Sequence, residues 1–141
     1  MGTFVRTQWT GNMSFDALVT GHHLPMDVGI DAGGEDKGPR PKALLLAALS
    51  GCTGMDVVSI LKKMQLSDYK LEIVSEAEST TEHPVIYHTI LVKSMFEGEE
   101  LPAEKIKKAV SLSADKYCGV NAMLSKAAKV ITKTYINDVE V

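Results

Sequence analysis

The sequence predicts an α+β fold: strands, one long apolar helix, further strands, short helices and a closing strand, instead of repeating βαβ units. Two observations carry this prediction. Residues 43–55 form a charge-free run whose Leu and Ala side chains cover every direction of a helix over several turns, where a surface helix would show one stripe. On both sides of it lie segments of β-branched or alternating character, the strongest at 85–96, where Val85, Ile86, Tyr87, Ile90, Leu91 and Val92 cluster. A helix apolar around most of its circumference needs protein on all sides, whereas a single sheet of about six strands covers only one. The economical solution is an intertwined homodimer, with two central helices side by side and antiparallel sheets wrapped outside. Each monomer alone would leave a large apolar surface open, so the dimer is expected to be obligate.

In chain order, residues 3–9 are rich in β-branched and aromatic side chains, a turn follows at Gly11-Asn12-Met13, and residues 14–20 complete a hairpin. Gly21-His22-His23 turns the chain into a third segment at 24–30. A glycine-rich, charged loop, Asp31-Ala32-Gly33-Gly34-Glu35-Asp36-Lys37-Gly38, then delivers it to the central helix. Pro39 and Pro41 stiffen the helix entrance, and charge returns only from Asp56 to Lys63. Residues 69–78 alternate, with Leu71, Ile73 and Ser75 on one face, and are expected to pair antiparallel with 85–96. Pro102 and Glu104 suit the first turn of a helix whose apolar stripe is Ile106, Ala109 and Val110, ending at Leu112. Asn121 is placed to cap a last helix at 122–128, and 130–136 reads as the closing strand.

At 141 residues the chain fits a single domain spanning 1–141, large enough to bury a core without metal or disulfide staples. A net charge of -3 and a pI near 5.8, with 15 basic residues scattered among 18 acidic ones, provide no basic stripe for a phosphate backbone. Nucleic acid is therefore not an expected partner. The first residues lack the apolar segment of a secretory signal, and the uncharged run after Lys42 is short for a bilayer and rich in Ala and Gly. A cytoplasmic protein with no membrane association is the expectation. In a reducing compartment, the two cysteines, Cys52 and Cys118, are more often free thiols or redox partners than a structural bridge.

The run Gly38-Pro39-Arg40-Pro41-Lys42-Ala43-Leu44-Leu45-Leu46-Ala47-Ala48-Leu49-Ser50-Gly51-Cys52-Thr53-Gly54-Met55-Asp56-Val57-Val58-Ser59-Ile60-Leu61 resembles the central helix of the OsmC/Ohr family, named for osmotically inducible protein C and organic hydroperoxide resistance protein. The segment Ser113-Ala114-Asp115-Lys116-Tyr117-Cys118 and the order of elements continue the resemblance over nearly the whole chain. It implies a swapped dimer with two central helices and a thiol peroxidase acting on organic hydroperoxides. The peroxidatic cysteine maps onto Cys52 and the resolving cysteine onto Cys118. The reductant implied is a dithiol, a lipoyl-bearing protein in studied relatives, and no cofactor is called for.

The chemistry asks for the same parts. A thiolate attacks the distal oxygen of a hydroperoxide, alcohol leaves, and the resulting sulfenic acid must condense with a second thiol before it oxidises further. Against this stands the plainer reading of Cys52 as a small buried core residue. A free thiol ionises only above neutrality and burial raises its pKa, so a cation is expected beside it. The family supplies an arginine from the loop between the first strands, held by a glutamate near the start of the long helix. This chain departs at both places: Gly11-Asn12-Met13-Ser14 has no arginine, and Lys42 stands ten residues before Cys52.

The chain has two arginines, Arg6 and Arg40. Twelve residues of helix place Arg40 roughly 18 Å from Cys52 in its own chain, so Arg40, with Lys42, is expected to serve Cys52 of a partner whose helix runs antiparallel. Solvated charges at a helix entrance are the competing reading. His22 and His23 are not expected to bind metal, since adjacent strand residues face opposite sides. Asp56, one turn beyond Cys52, would oppose thiolate formation, so a capping role or a contact across the dimer is expected of it. Two functions from different classes remain open at this stage: a cysteine peroxidase, or a redox-sensing or apolar-ligand-binding stress protein with the same fold.

Overall fold

The computed structural model describes residues 2–141. The chain divides into two compact units, Met1–Leu45 and Leu46–Val141.

The first unit is a three-stranded antiparallel sheet of β1 (Val5–Gly11), β2 (Ser14–Val19) and β3 (His22–Met26), in that order. Thr20 and Gly21, at φ 47° and 84°, make a two-residue turn that sets Val19 opposite His22 and Phe15 opposite Met26. That tight turn starts β3 at His22, two residues earlier than the segment 24–30 suggested. Pro25 sits within β3 because the strand is at the sheet's edge, where a missing N–H costs no ladder bond.

The strand ends at Met26, and the buried carboxylate of the next residue, Asp27, accepts hydrogen bonds from the N–H groups of Val28 (2.8 Å), Glu35 (3.1 Å) and Lys37 (3.2 Å). Burial works to raise its pKa, but these donors and the Ser14 hydroxyl outweigh it and hold the carboxyl below its ordinary value. The glycine-rich loop thus folds around an anion supplied by the chain itself. A side chain at Gly34 would meet the Val28 carbonyl oxygen at 2.2 Å, so this position is closed to anything larger. A short 3₁₀ turn, Ile30–Ala32, lies within the loop.

The helix α1 (Ala43–Lys63) runs from the first unit into the second, with Lys62 and Lys63 in its last turn, where cations complement the helix dipole. The second unit holds the sheet β4 (Lys70–Ser79), β5 (Tyr87–Glu97), β6 (Lys129–Ile136) and β7 (Val139–Glu140). Strands β4 and β5 pair antiparallel as expected, from Lys70 opposite Glu97 onward. The expectation of antiparallel sheets needs one correction: β5 and β6 are parallel, from Thr89 opposite Lys129 to Phe96 opposite Ile136. The reason is the connection, which crosses over through α2 (Ala103–Leu112) and α3 (Gly119–Leu124) and so returns the chain in the same direction. Pro102 caps α2, and Ile106, Ala109 and Val110 are its buried face.

Within the second unit α1 buries one stripe, Leu49, Thr53, Val57 and Leu61, at four-residue spacing. Leu49 packs with Ile90, Val92 and Cys118, while Val57 and Leu61 pack with Phe96, Ile106, Ala109 and Val110. Each fully buried Leu, Ile, Val or Phe side chain among these contributes roughly 1.5–3 kcal/mol. Met55 (77 % exposed) and Val58 stay open, as expected of an all-round apolar helix with one sheet beneath it. The helix is long and apolar enough to cross a bilayer by length and composition, and its buried stripe packs into the core of the second unit.

Candidate functional site

Along α1 the two apolar patches are separated by Thr53 and Asp56, and along β5 by Ser94, so polar groups occupy the middle of the core. The Ser94 hydroxyl is fully buried and, among the described residues, has no hydrogen-bond partner. At this level the structure brings together Cys52, Asp56 and Cys118, with the two sulfurs and a carboxylate oxygen all within 4.8 Å of one another. Both cysteines are free thiols, Cys52 half-buried and Cys118 buried.

The local fold explains the placement. After α2 the chain makes one wide turn, Ser113–Tyr117, closed by a 2.8 Å bond from the Cys118 N–H to the Ser113 carbonyl five residues back. This turn leaves Tyr117 half exposed and puts Cys118 at 3 % exposure. Cys118 then caps α3, its sulfur accepting the Asn121 N–H at 3.3 Å. Asn121 was the expected cap; it lies inside the helix instead, and its Oδ1 accepts a bond from the Ser125 hydroxyl at 2.9 Å. With Cys118 as the cap, α3 starts at Gly119, three residues earlier than expected, and it ends at Leu124. Thr53 presents its hydroxyl to the same sulfur at 3.9 Å, a long contact. Ser113 donates to Asp56 Oδ2 at 3.0 Å.

The electrostatics follow from these contacts. Burial, and next the hydrogen bond with Cys52, push the Cys118 thiol above its ordinary pKa, and the Asn121 N–H and Thr53 hydroxyl offset this only in part. A buried Cys118 therefore rests as the thiol. Two sulfurs and one carboxylate are the donor types that a thiophilic divalent cation takes, but three ligands fall short of a closed tetrahedral site and, among the described residues, no histidine joins them. The arrangement fits thiol chemistry better than metal binding.

Arg40 forms an ion pair with Asp36 and a 3.4 Å bond to the Gly38 carbonyl. His23 pairs with Asp16 across to β2 at 2.6 Å, and His88 bonds its neighbour Thr89 at 2.8 Å. Asp56 is the residue that sequence reasoning assigned elsewhere. Its i+4 spacing from Cys52 was visible, but its bond to Ser113, 57 positions away, was not.

An α+β chain with two thiols drawn together from its central helix and a capping turn defines a class of thiol-bearing proteins, and the comparisons name the family. The family model described as OsmC-like protein matches residues 34–133, and the chain belongs to that family. It is similar to Protein YhfA of Escherichia coli K12, 34 % identical over 131 residues that cover 92 % of this chain and 94 % of that one. A crystal structure of a hypothetical protein from Aquifex aeolicus VF5 superimposes with a TM-score of 0.85 at 25 % identity, covering 97 % of each chain. An organic hydroperoxide resistance protein OsmC from Legionella pneumophila, also described as a predicted redox protein, shares the fold with a TM-score of 0.67 at 14 % identity, covering 96 % of this chain and 97 % of that one.

Proposed function

We infer that this protein is a thiol-dependent peroxidase for organic hydroperoxides, working as a homodimer through Cys52 and a Cys52–Cys118 disulfide. The observation that carries the reading is the approach of two free sulfurs to within 4.8 Å, one half-buried and one buried. The more accessible Cys52 attacks the peroxide and releases the alcohol. Cys118 then condenses with the sulfenic acid, which protects it from further oxidation. A dithiol, with a lipoyl-bearing protein as the family's precedent, returns both thiols. Met55 and Val58 on the open side of α1 supply the apolar face for a second copy of that helix. Arg40 of the partner is the cation proposed for Cys52, and it must release Asp36 to act.

The test follows cumene hydroperoxide consumption with dihydrolipoamide for the wild type and Cys52→Ser, with the disulfide checked by mass. Turnover that depends on Cys52 and a Cys52–Cys118 link support the reading. Neither turnover nor link would favour the second reading, a redox-sensing or apolar-ligand-binding protein, for which the pairing of Arg40 with Asp36 is the supporting observation. An Arg40→Ala variant whose Cys52 alkylation follows the wild-type pH profile removes Arg40 from the site.

A further inference from the structure

We propose that Asp56 carries the proton in the disulfide-forming half of this chemistry, taking it from the Cys118 thiol and delivering it to the hydroxide that leaves Cys52. The proposal rests on the peroxidase reading above. A buried thiol at 3 % exposure cannot hand its proton directly to bulk water, so its acceptor must lie inside the site. Among the described residues Asp56 is the one carboxylate in the cluster, within 4.8 Å of both sulfurs, and no histidine joins it. One of its oxygens accepts from the Ser113 hydroxyl at 3.0 Å, which fixes the carboxylate while leaving it further acceptor capacity. It also lines a cleft of about 410 Å³ with Ser59, Ile60, Lys63, Leu112 and Tyr117, a route by which water can leave.

The negative charge decides how the proton moves. A carboxylate disfavours a standing thiolate beside it, so the Cys118 proton must pass to Asp56 as the sulfur attacks, in the manner of general base catalysis. The step balances as Cys52–SOH plus Cys118–SH giving Cys52–S–S–Cys118 plus water. The S–H bond of Cys118 and the S–O bond of Cys52 break, and one S–S bond forms. The sulfenic sulfur is reduced, the thiol sulfur is oxidised, and Asp56 ends ionised as it began.

The experiment uses rapid-quench mass spectrometry on the reduced full chain, with cumene hydroperoxide as oxidant and dimedone to trap the sulfenic acid. In Asp56→Asn, loss of a like charge beside Cys52 should speed sulfenic acid formation, while condensation with Cys118 should slow by about 100-fold or more. Structural damage would slow both steps. Asp56→Glu, which keeps the carboxylate as a proton acceptor, should recover condensation to within about tenfold of wild type. Condensation at the wild-type rate in Asp56→Asn, or a Glu variant as slow as the Asn variant, overturns the proposal. Should the wild-type Cys52 resist the peroxide, the peroxidase reading fails separately. Diamide-driven formation of the same disulfide then tests Asp56, and equal rates in wild type and Asp56→Asn overturn its role.

Discussion

Oxidation of the Cys52–Cys118 pair should stabilise the chain by an amount that its topology sets. The two residues are 66 positions apart, on α1 and at the cap of α3, so the link closes most of the second unit into one loop. Loop-closure entropy for that length gives about 4 kcal/mol, an upper value because any native distortion subtracts from it. With a denaturant dependence of about 2 kcal/mol per molar urea, the unfolding midpoint of the oxidised protein should lie about 2 M above that of the reduced protein. The assay compares diamide-oxidised and reduced samples at one protein concentration, since the proposed dimer would make stability depend on concentration. Peptide mapping confirms the link. Equal midpoints in samples shown to be fully linked would mean that the sulfurs meet only by distorting the core. The placement of both cysteines in one functional unit would then be refuted.

Leu49→Ala, which empties a fully buried position packed against Ile90, Val92 and Cys118, should cost about 2–5 kcal/mol, read as a lowered urea midpoint; a loss under 0.5 kcal/mol would contradict the packing. Cys118 has its pKa raised by burial, so at any given pH it holds less thiolate than an unfolded cysteine, and its alkylation should rise only at more alkaline pH than in a urea-unfolded control. Removing one raising cause with Cys52→Ser should move that profile back toward the control without reaching it, because burial persists. If the proposed dimer packs on this face of α1, Met55→Glu, at a position 77 % exposed in the chain, should lower the wild-type mass in light scattering to that of a monomer, and a wild-type mass that persists would place any interface elsewhere.

The local rules were legible in the sequence. Pro102, Glu104 and the Ile106, Ala109, Val110 stripe set α2 to within a residue, because proline geometry and helical periodicity act over one or two turns. The all-round apolar character of α1 announced a helix needing more cover than one sheet provides, and Met55 and Val58 are the residues left open. The resemblance also singled out Cys52 and Cys118 as a pair.

Tertiary structure decided the rest, because the causes lie far apart in the chain. The parallel pairing of β5 with β6 follows from a crossover of two helices, which no strand's own pattern records. Asp56 gains its place beside the thiols through Ser113, 57 positions on, and Cys118 becomes a cap only once the wide turn before it has closed on Ser113. Which residues were helical or extended was written in neighbours three or four apart. Which proton acceptor faces which sulfur depended on packing alone.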